Sequence, residues 1–174
     1  MKIRGKLIVL GSLVVVMLLG WIFRVSLILA CLPYLERKGE SGGQLLRDQL
    51  IDCGPSSIGP VIAELRAHSP WGRNYCYLPS VLKHFGEPAR QQLRAAIDTE
   101  PDAKRRASLV SALQSGFGDF SDLSKVLEDP ALPSGVLRWL EPDVRLAFPE
   151  APPMTKESAL NPEFMVWWKE RGPH

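Results

Sequence analysis

Apolar positions recur in pairs of short stretches on either side of three evenly spaced glycines. Gly54, Gly86 and Gly118 stand 32 residues apart, and an apolar stretch with helical spacing precedes and follows each of them. A fixed period of roughly 20–50 residues is typical of stacked supersecondary units, and glycine often follows the last residue of a helix. The pattern therefore predicts three helix pairs, with a glycine at the turn inside each pair.

The sequences around the first two turns carry a resemblance to a known class of repeat. They read LIDCGP at residues 50–55 and LKHFGEPA at residues 82–89. Residues 44–128 thereby resemble the short HEAT-like repeats of bacterial proteins, in which a helix, a glycine-containing turn and a second helix recur. The resemblance implies a scaffold or binding surface and does not identify a reaction.

The predicted fold class is all-α: a short α-solenoid of about three helix pairs, preceded by one transmembrane helix and followed by a proline-rich capping tail. Thr99 is the expected N-cap of the third unit's first helix, with Pro101 in its first turn. The shortened last helix is typical of a terminal unit that caps a stack. The predicted helices cover residues 44–53, 55–68, 77–85, 88–98, 100–114 and 120–128.

The amino-terminal segment, residues 1–35, is predicted to be a membrane anchor. Residues 7–32 are apolar except for Arg24, and three basic residues precede them. As one helix they would measure roughly 39 Å, which exceeds a hydrocarbon core of about 30 Å. Arg24 would then either snorkel to the interface or pair with an acid on a neighbouring membrane helix. The bilayer is accordingly an expected partner of residues 7–32.

Two alternatives remain for this segment. It could be a cleaved signal peptide, although no A-x-A-like site follows it. It could also be a lipoprotein signal, because residues 27–31 (LILAC) resemble a lipobox that would lipidate Cys31, although Arg24 interrupts the run. Basic residues before the apolar run favour a cytoplasmic amino terminus. The expected location is the inner membrane, single pass, with the repeat domain periplasmic or otherwise extracytoplasmic.

Charge is distributed unevenly along the chain. Up to Lys38, six Lys/Arg oppose one Glu for a net +5, and the remaining fifteen Lys/Arg oppose eighteen Asp/Glu for a net −3. No nucleic-acid partner is expected, because phosphate binding needs clustered positive charge. One basic concentration follows residue 38, and it indicates either a solvated helix face or a groove for an acidic partner or lipid headgroups. Its members are Arg90, Arg94, Lys104, Arg105 and Arg106.

Two segments flank the predicted repeats. Residues 36–43 are polar and glycine-rich, which predicts a flexible linker. Residues 129–174 contain many prolines that break the tail into short pieces, and Phe164, Trp167 and Trp168 follow helical spacing within it. Together with Trp139, these aromatic residues are predicted to seal the open end of the stack. The alternative is a protruding aromatic anchor for a partner.

Reactive residues are few. Cys53 and Cys76 fall at opposite ends of equivalent helices, so they are predicted to be buried thiols, because a disulfide needs Cα atoms within about 7 Å. Cys53, His68 and His84 would form a thiol site if the fold brought them together on the concave face, which makes an enzyme, for instance of lyase type, one alternative. No zinc or calcium pattern is complete. No catalytic residue, metal or cofactor is therefore expected.

These features indicate a membrane-anchored scaffold or accessory subunit that mediates protein–protein interaction in an envelope membrane complex. The alternatives are the enzyme with a site on the concave face and a lipoprotein adaptor lipidated at Cys31. The candidate interaction residues are Arg24, Arg90, Arg94, Arg105, Arg106, Trp167 and Trp168.

Overall fold

The computed structural model describes residues 19–20, 23–32, 34, 40–67, 77–130, 132, 134–156 and 159–173. These residues are mostly helical, and a two-stranded antiparallel hairpin precedes the last helix. In chain order the elements are α1 (Arg24–Ala30), α2 (Glu40–Asp52), a 3₁₀ turn (Gly54–Ser57), α3 (Ile58–Ala67), α4 (Tyr77–Phe85), α5 (Glu87–Thr99), α6 (Ala103–Phe117), α7 (Leu123–Leu127), α8 (Ser134–Ala147), β1 (Thr155–Lys156), β2 (Ala159–Leu160) and α9 (Pro162–Arg171).

Local chemistry sets the helix boundaries. The three periodic glycines lie between consecutive helices and have positive φ angles of 72°, 64° and 64°, a conformation that only glycine adopts without a steric cost. Gly118 is the left-handed C-cap of α6, and its N–H donates to the carbonyl of Gln114 at 2.7 Å. At the other end of α6, the Asp102 carboxylate accepts from the backbone N–H of Arg105 at 2.8 Å. The prediction of Thr99 as the N-cap is therefore wrong, since Thr99 is the last residue of α5.

The turn glycines differ in backbone geometry, and we expect their alanine variants to differ in stability. Gly118 has φ 64° and ψ 27°, whereas Gly86 has φ 64° and ψ −140°, which is close to a region that only glycine populates. A Cβ at either position would meet no atom within 4 Å. Gly118→Ala should cost about 1 kcal/mol and Gly86→Ala about 1–2 kcal/mol more, as measured by urea unfolding. Equal losses would contradict this ranking.

The helices stack around α6. Helices α2, α4 and α6 lie side by side in chain order, and α6 also contacts α3, α5 and α8. The Ser108 hydroxyl of α6 donates to the Leu65 carbonyl of α3 at 2.7 Å. In an α-solenoid each repeat contacts only its neighbours. Here the third predicted unit packs directly on the first, so the arrangement departs from the predicted open stack.

Helix α2 begins inside the predicted linker. It starts at Glu40, four residues before the predicted helix and within residues 36–43. Gly42 and Gly43 are buried, and a Cβ on Gly43 would overlap the ring of Tyr77 in α4. Glycine at this position permits a close helix–helix approach, so the glycines that resemble a flexible linker belong to the packed domain.

The predicted transmembrane helix is contradicted. Within the described ranges, no helix is both long enough and apolar enough to cross a membrane. The described part of the apolar segment forms the seven-residue helix α1, about 10 Å long, whose Val25 and Leu29 pack into the domain core together with Leu32. Residues 1–18, 21 and 22 lie outside the described residues. The predicted single-pass location in the inner membrane is contradicted on the same ground.

The proline-containing tail is more regular than predicted. Residues 134–147 form the 14-residue helix α8, which contains Pro142. Glu141 of α8 accepts from the Met154 backbone N–H at 3.2 Å and from the Thr155 hydroxyl at 2.7 Å, which attaches the hairpin to the helix. Helix α9 then starts at Pro162, with the Asn161 side chain as its cap. The tail is therefore part of the folded domain.

Candidate functional site

The predicted basic surface is occupied by acidic partners from the same chain. Arg90 donates to the Asp119 carboxylate through Nε at 2.8 Å and Nη2 at 2.7 Å. Arg94 donates to the same carboxylate at 2.8 Å and to the Ser121 hydroxyl at 2.6 Å. The second Asp119 oxygen accepts from the backbone N–H and hydroxyl of Ser121. These bonds attach α5 to the turn between α6 and α7.

Further ion pairs extend this network. The Lys125 ammonium contacts Asp122 at 2.7 Å and also contacts Asp98. Arg106 bonds to Asp129 at 2.8 Å and to the carbonyl of Glu100. Of the predicted basic cluster, Lys104 and Arg105 are on the exposed surface at the start of α6. The cluster thus acts mainly as a set of links between neighbouring helices.

The protonation equilibria of the network reflect these contacts. Burial alone would raise the pKa of Asp119, but the hydrogen bonds from Arg90 and Ser121 outweigh it, and its pKa is lowered. The same hydrogen bond from Arg90 to Asp119 raises the pKa of Arg90. Hydrogen bonds to Asp122 and Asp98 likewise raise the pKa of Lys125. Asp119, Arg90 and Lys125 are therefore each held in the charged form, which suits a structural link between helices.

The two predicted tryptophan anchors are core residues. Trp168 is 1% exposed and Trp167 is 8% exposed, and both rings contact Phe148 edge-on. The Trp168 indole N–H donates to the Ser124 hydroxyl in α7 at 3.2 Å. The structure therefore places these side chains where they cover the third helix pair, inaccessible to a partner.

Arg24 and Cys53 lie beside a small open pocket between α1 and the turn that follows α2. The pocket has a volume of about 160 Å³, which is below the roughly 300–1,000 Å³ of common ligand sites. Arg24 is half-buried and donates to the Gln49 amide oxygen at 3.3 Å. The predicted roles of Arg24 belonged to a membrane helix, whereas here it attaches α1 to α2. The pocket lining comprises Arg24, Val25, Ser26, Asp52, Cys53, Ser56 and Pro60.

The concave-face thiol site is not assembled by the described residues. Cys53 is half-buried, and His84 is exposed at the end of α4, with its ring edge-on to Phe85. His84 does not line the pocket beside Cys53. His68 and Cys76 lie outside the described residues. The prediction that Cys53 and Cys76 are too far apart for a disulfide therefore falls outside them as well.

Acidic residues that alternate like cation ligands have separate roles. Asp98 contacts Lys125, Glu100 forms an ion pair with Arg66 at 2.8 Å, and Asp102 caps α6. Across the part of the chain that the structure describes, no three His, Cys, Asp or Glu residues come together in a way that could hold a metal ion.

An exposed apolar surface runs along the amino-terminal helical segment. Backbone N–H groups of Phe23, Leu27 and Cys31 donate to carbonyls four residues earlier, so these side chains follow one another along one helix face. The opposite face carries the buried Val25 and Leu29. We name this surface the apolar stripe; it consists of Leu19 (48% exposed), Phe23 (53%), Leu27 (59%), Cys31 (exposed) and Tyr34 (60%).

Sequence reasoning missed the apolar stripe because it assigned residues 7–32 to a lipid environment. Because residues 7–32 are apolar on every helix face, the four-residue spacing of Phe23, Leu27 and Cys31 cannot be distinguished in the sequence. The signal that was available is Arg24 inside the run, since a charge there is costly in lipid and favours a segment that packs on protein.

One of the two alternatives for the amino-terminal segment, a lipoprotein processed at Cys31, would change the core. Lipidation at Cys31 requires removal of residues 1–30, which include the buried Val25 and Leu29. Arg24 and its hydrogen bond to Gln49 would also be lost. Cys31 itself is exposed.

Comparisons with known proteins yield no relative. No protein-family profile matches the chain, and no curated protein or solved structure matches it. The HEAT-like resemblance therefore stays a prediction.

Proposed function

We propose that this chain is a non-enzymatic protein-interaction module, a helical scaffold or accessory subunit that binds a protein partner through the apolar stripe. The observation that carries the proposal is the exposure of Phe23 and Leu27 on a segment whose other face is anchored in the core. A contiguous exposed apolar surface on a folded domain commonly marks an interaction site.

The position of the stripe supports this function. Helix α1 packs on both α2 and α3, so the stripe is presented on a supported element. A preorganised surface loses less conformational entropy on binding than a flexible one. Aromatic residues such as Phe23 and Tyr34 are also the residue types enriched at protein interfaces.

The alternative surfaces are less suited to binding. The basic cluster is largely neutralised by Asp119, Asp122 and Asp129. The other large exposed apolar side chains, within the described residues, stand on three different helices: Leu45 on α2, Leu146 on α8 and Val166 on α9. The apolar stripe is therefore the surface on which we place the partner.

The proposal is tested by affinity purification of the tagged full-length chain from its native cells, followed by mass spectrometry. We expect a stoichiometric partner, either a second copy or another protein, with the unmodified chain. Leu27→Glu should reduce its recovery at least about tenfold, because a buried carboxylate without a partner strongly disfavours an interface.

Leu146→Glu is the matched control, since Leu146 is 84% exposed on α8, away from the stripe. This variant should retain the partner. Absence of a stoichiometric partner, or an equal loss in both variants, would refute the proposed function.

A further inference from the structure

We infer that the partner at the apolar stripe is a second copy of this chain, with the two α1 segments paired antiparallel about a two-fold axis at Leu27. This inference rests on the proposed function and specifies its partner. It depends on the order of large and small exposed residues between Gly20 and Tyr34, on the side of the segment that carries the stripe.

The two-fold axis matches large residues with small ones. In an antiparallel pair centred on Leu27, a residue that precedes Leu27 by a given number of positions faces the partner residue that follows Leu27 by the same number. Phe23 then faces the small Cys31, and Tyr34 faces Gly20, which is next to Leu19 and has no side chain; all four are exposed. The position opposite Leu19 is residue 35, which lies outside the described residues. An isologous interface requires one surface to be complementary to itself, and this order fulfils that requirement.

The stripe is also uncharged, which favours a copy of itself over a partner selected by charge. Arg24, the charged residue of α1, is half-buried and bonded to Gln49. Among the described residues of the segment, no like charges would therefore oppose each other across the axis. Helices that pack closely have axes about 8–10 Å apart, and Gly20 and Cys31 leave room for the bulkier side chains at that distance.

The first experiment measures self-association of the full-length chain. Two copies with different affinity tags are co-expressed, one tag is captured, and recovery of the other is quantified. We expect co-purification of the unmodified copies and a loss of at least about tenfold when both copies carry Leu27→Glu. Phe23→Ser should act in the same direction, and Leu146→Glu should have no effect. Unchanged melting temperatures would show that the variants remain folded.

The second experiment tests the antiparallel orientation by oxidation, in a Cys53→Ser, Cys76→Ser background. Phe23→Cys places a thiol opposite Cys31 of the second copy and should give a covalent dimer. Adding Cys31→Ser should reduce the dimer at least about tenfold, because a disulfide forms only over a short Cα separation. Within one chain the two thiols stand eight residues apart, roughly 12 Å along a helix, so they cannot pair internally.

Several outcomes would overturn the inference. The first is that the unmodified chain is monomeric, and the second is that the dimer persists in Leu27→Glu. The third is that Phe23→Cys gives the same amount of covalent dimer with and without Cys31. If Leu27→Glu releases a different protein while tagged copies never co-purify, the inference fails and the proposed function stands. Binding of the stripe to phosphatidylcholine vesicles in place of self-association would refute both.

Discussion

Replacing Trp168 with alanine is expected to lower the free energy of unfolding by about 3–5 kcal/mol, the range for truncating a fully buried Trp or Phe. Trp168 is 1% exposed, and its ring lies against Phe148 and Phe164. In the variant the Ser124 hydroxyl also loses the indole N–H that donates to it. Such a loss would be a large fraction of the roughly 5–15 kcal/mol by which a domain is stable.

The measurement is urea unfolding of the full-length chain, followed by circular dichroism. Val166→Ala is the matched control, because Val166 lies on the same helix and is 58% exposed; it should change stability by less than about 0.5 kcal/mol. Equal stability of Trp168→Ala and Val166→Ala would show that the tail does not contribute to the core. The interpretation of the tail as a cover for the third helix pair would then be wrong.

The parts of the fold that were predictable from sequence are those set by local chemistry. The glycines at 54, 86 and 118 lie at turns with positive φ, because that conformation depends on the residue itself. Helix α4 spans Tyr77–Phe85, as predicted, because its apolar spacing is regular and a glycine ends it.

The parts that were not predictable depend on tertiary context. Helix α8 was missed because Pro142 lies in its interior, where proline removes a backbone hydrogen bond; burial of Leu140 and Val144 around it favours the helix nonetheless. The close packing of Gly43 depends on the approach of Tyr77, which comes from a different helix. Composition alone therefore assigned both segments to irregular structure.

The candidate sites failed for a similar reason. Asp119 lies 29 residues from Arg90 and 25 from Arg94 along the chain, so the sequence shows a basic cluster without its neutralising partner. The apolar stripe appears only when one face of α1 is known to pack on the domain. Only the folded chain shows which polar groups have hydrogen-bond or ion-pair partners. The same holds for which apolar side chains remain exposed to solvent.

Asp119→Asn is expected to destabilise the domain near neutral pH by about 1.5–3 kcal/mol, the range for hydrogen bonds to a charged group. The Asp119 side chain is 6% exposed, whereas those of Arg90 and Arg94 are 36% and 41% exposed. The two arginines can therefore be hydrated after the change, which keeps the loss below that for breaking a fully buried ion pair. Glu87→Ala is the matched control, because Glu87 contacts Arg90 at 3.4 Å on the exposed surface; it should cost less than about 0.5 kcal/mol.

The pH dependence provides an independent test of the same contact. The folded-state pKa of Asp119 is lowered, whereas an unfolded aspartate has a pKa of about 3.9. The stabilising contribution of Asp119 is therefore fully present above about pH 5. It is lost as the pH falls below the pKa of the unfolded state and through the lower pKa of the folded state. Burial raises the pKa of Asp143. This effect is the same in the unmodified chain and in Asp119→Asn, so it cancels when their stabilities are subtracted. We expect the stability difference between the unmodified chain and Asp119→Asn, measured by urea unfolding from pH 7 to pH 3, to shrink as the solution becomes acidic. A difference independent of pH would mean that Asp119 contributes through its shape and not through its charge.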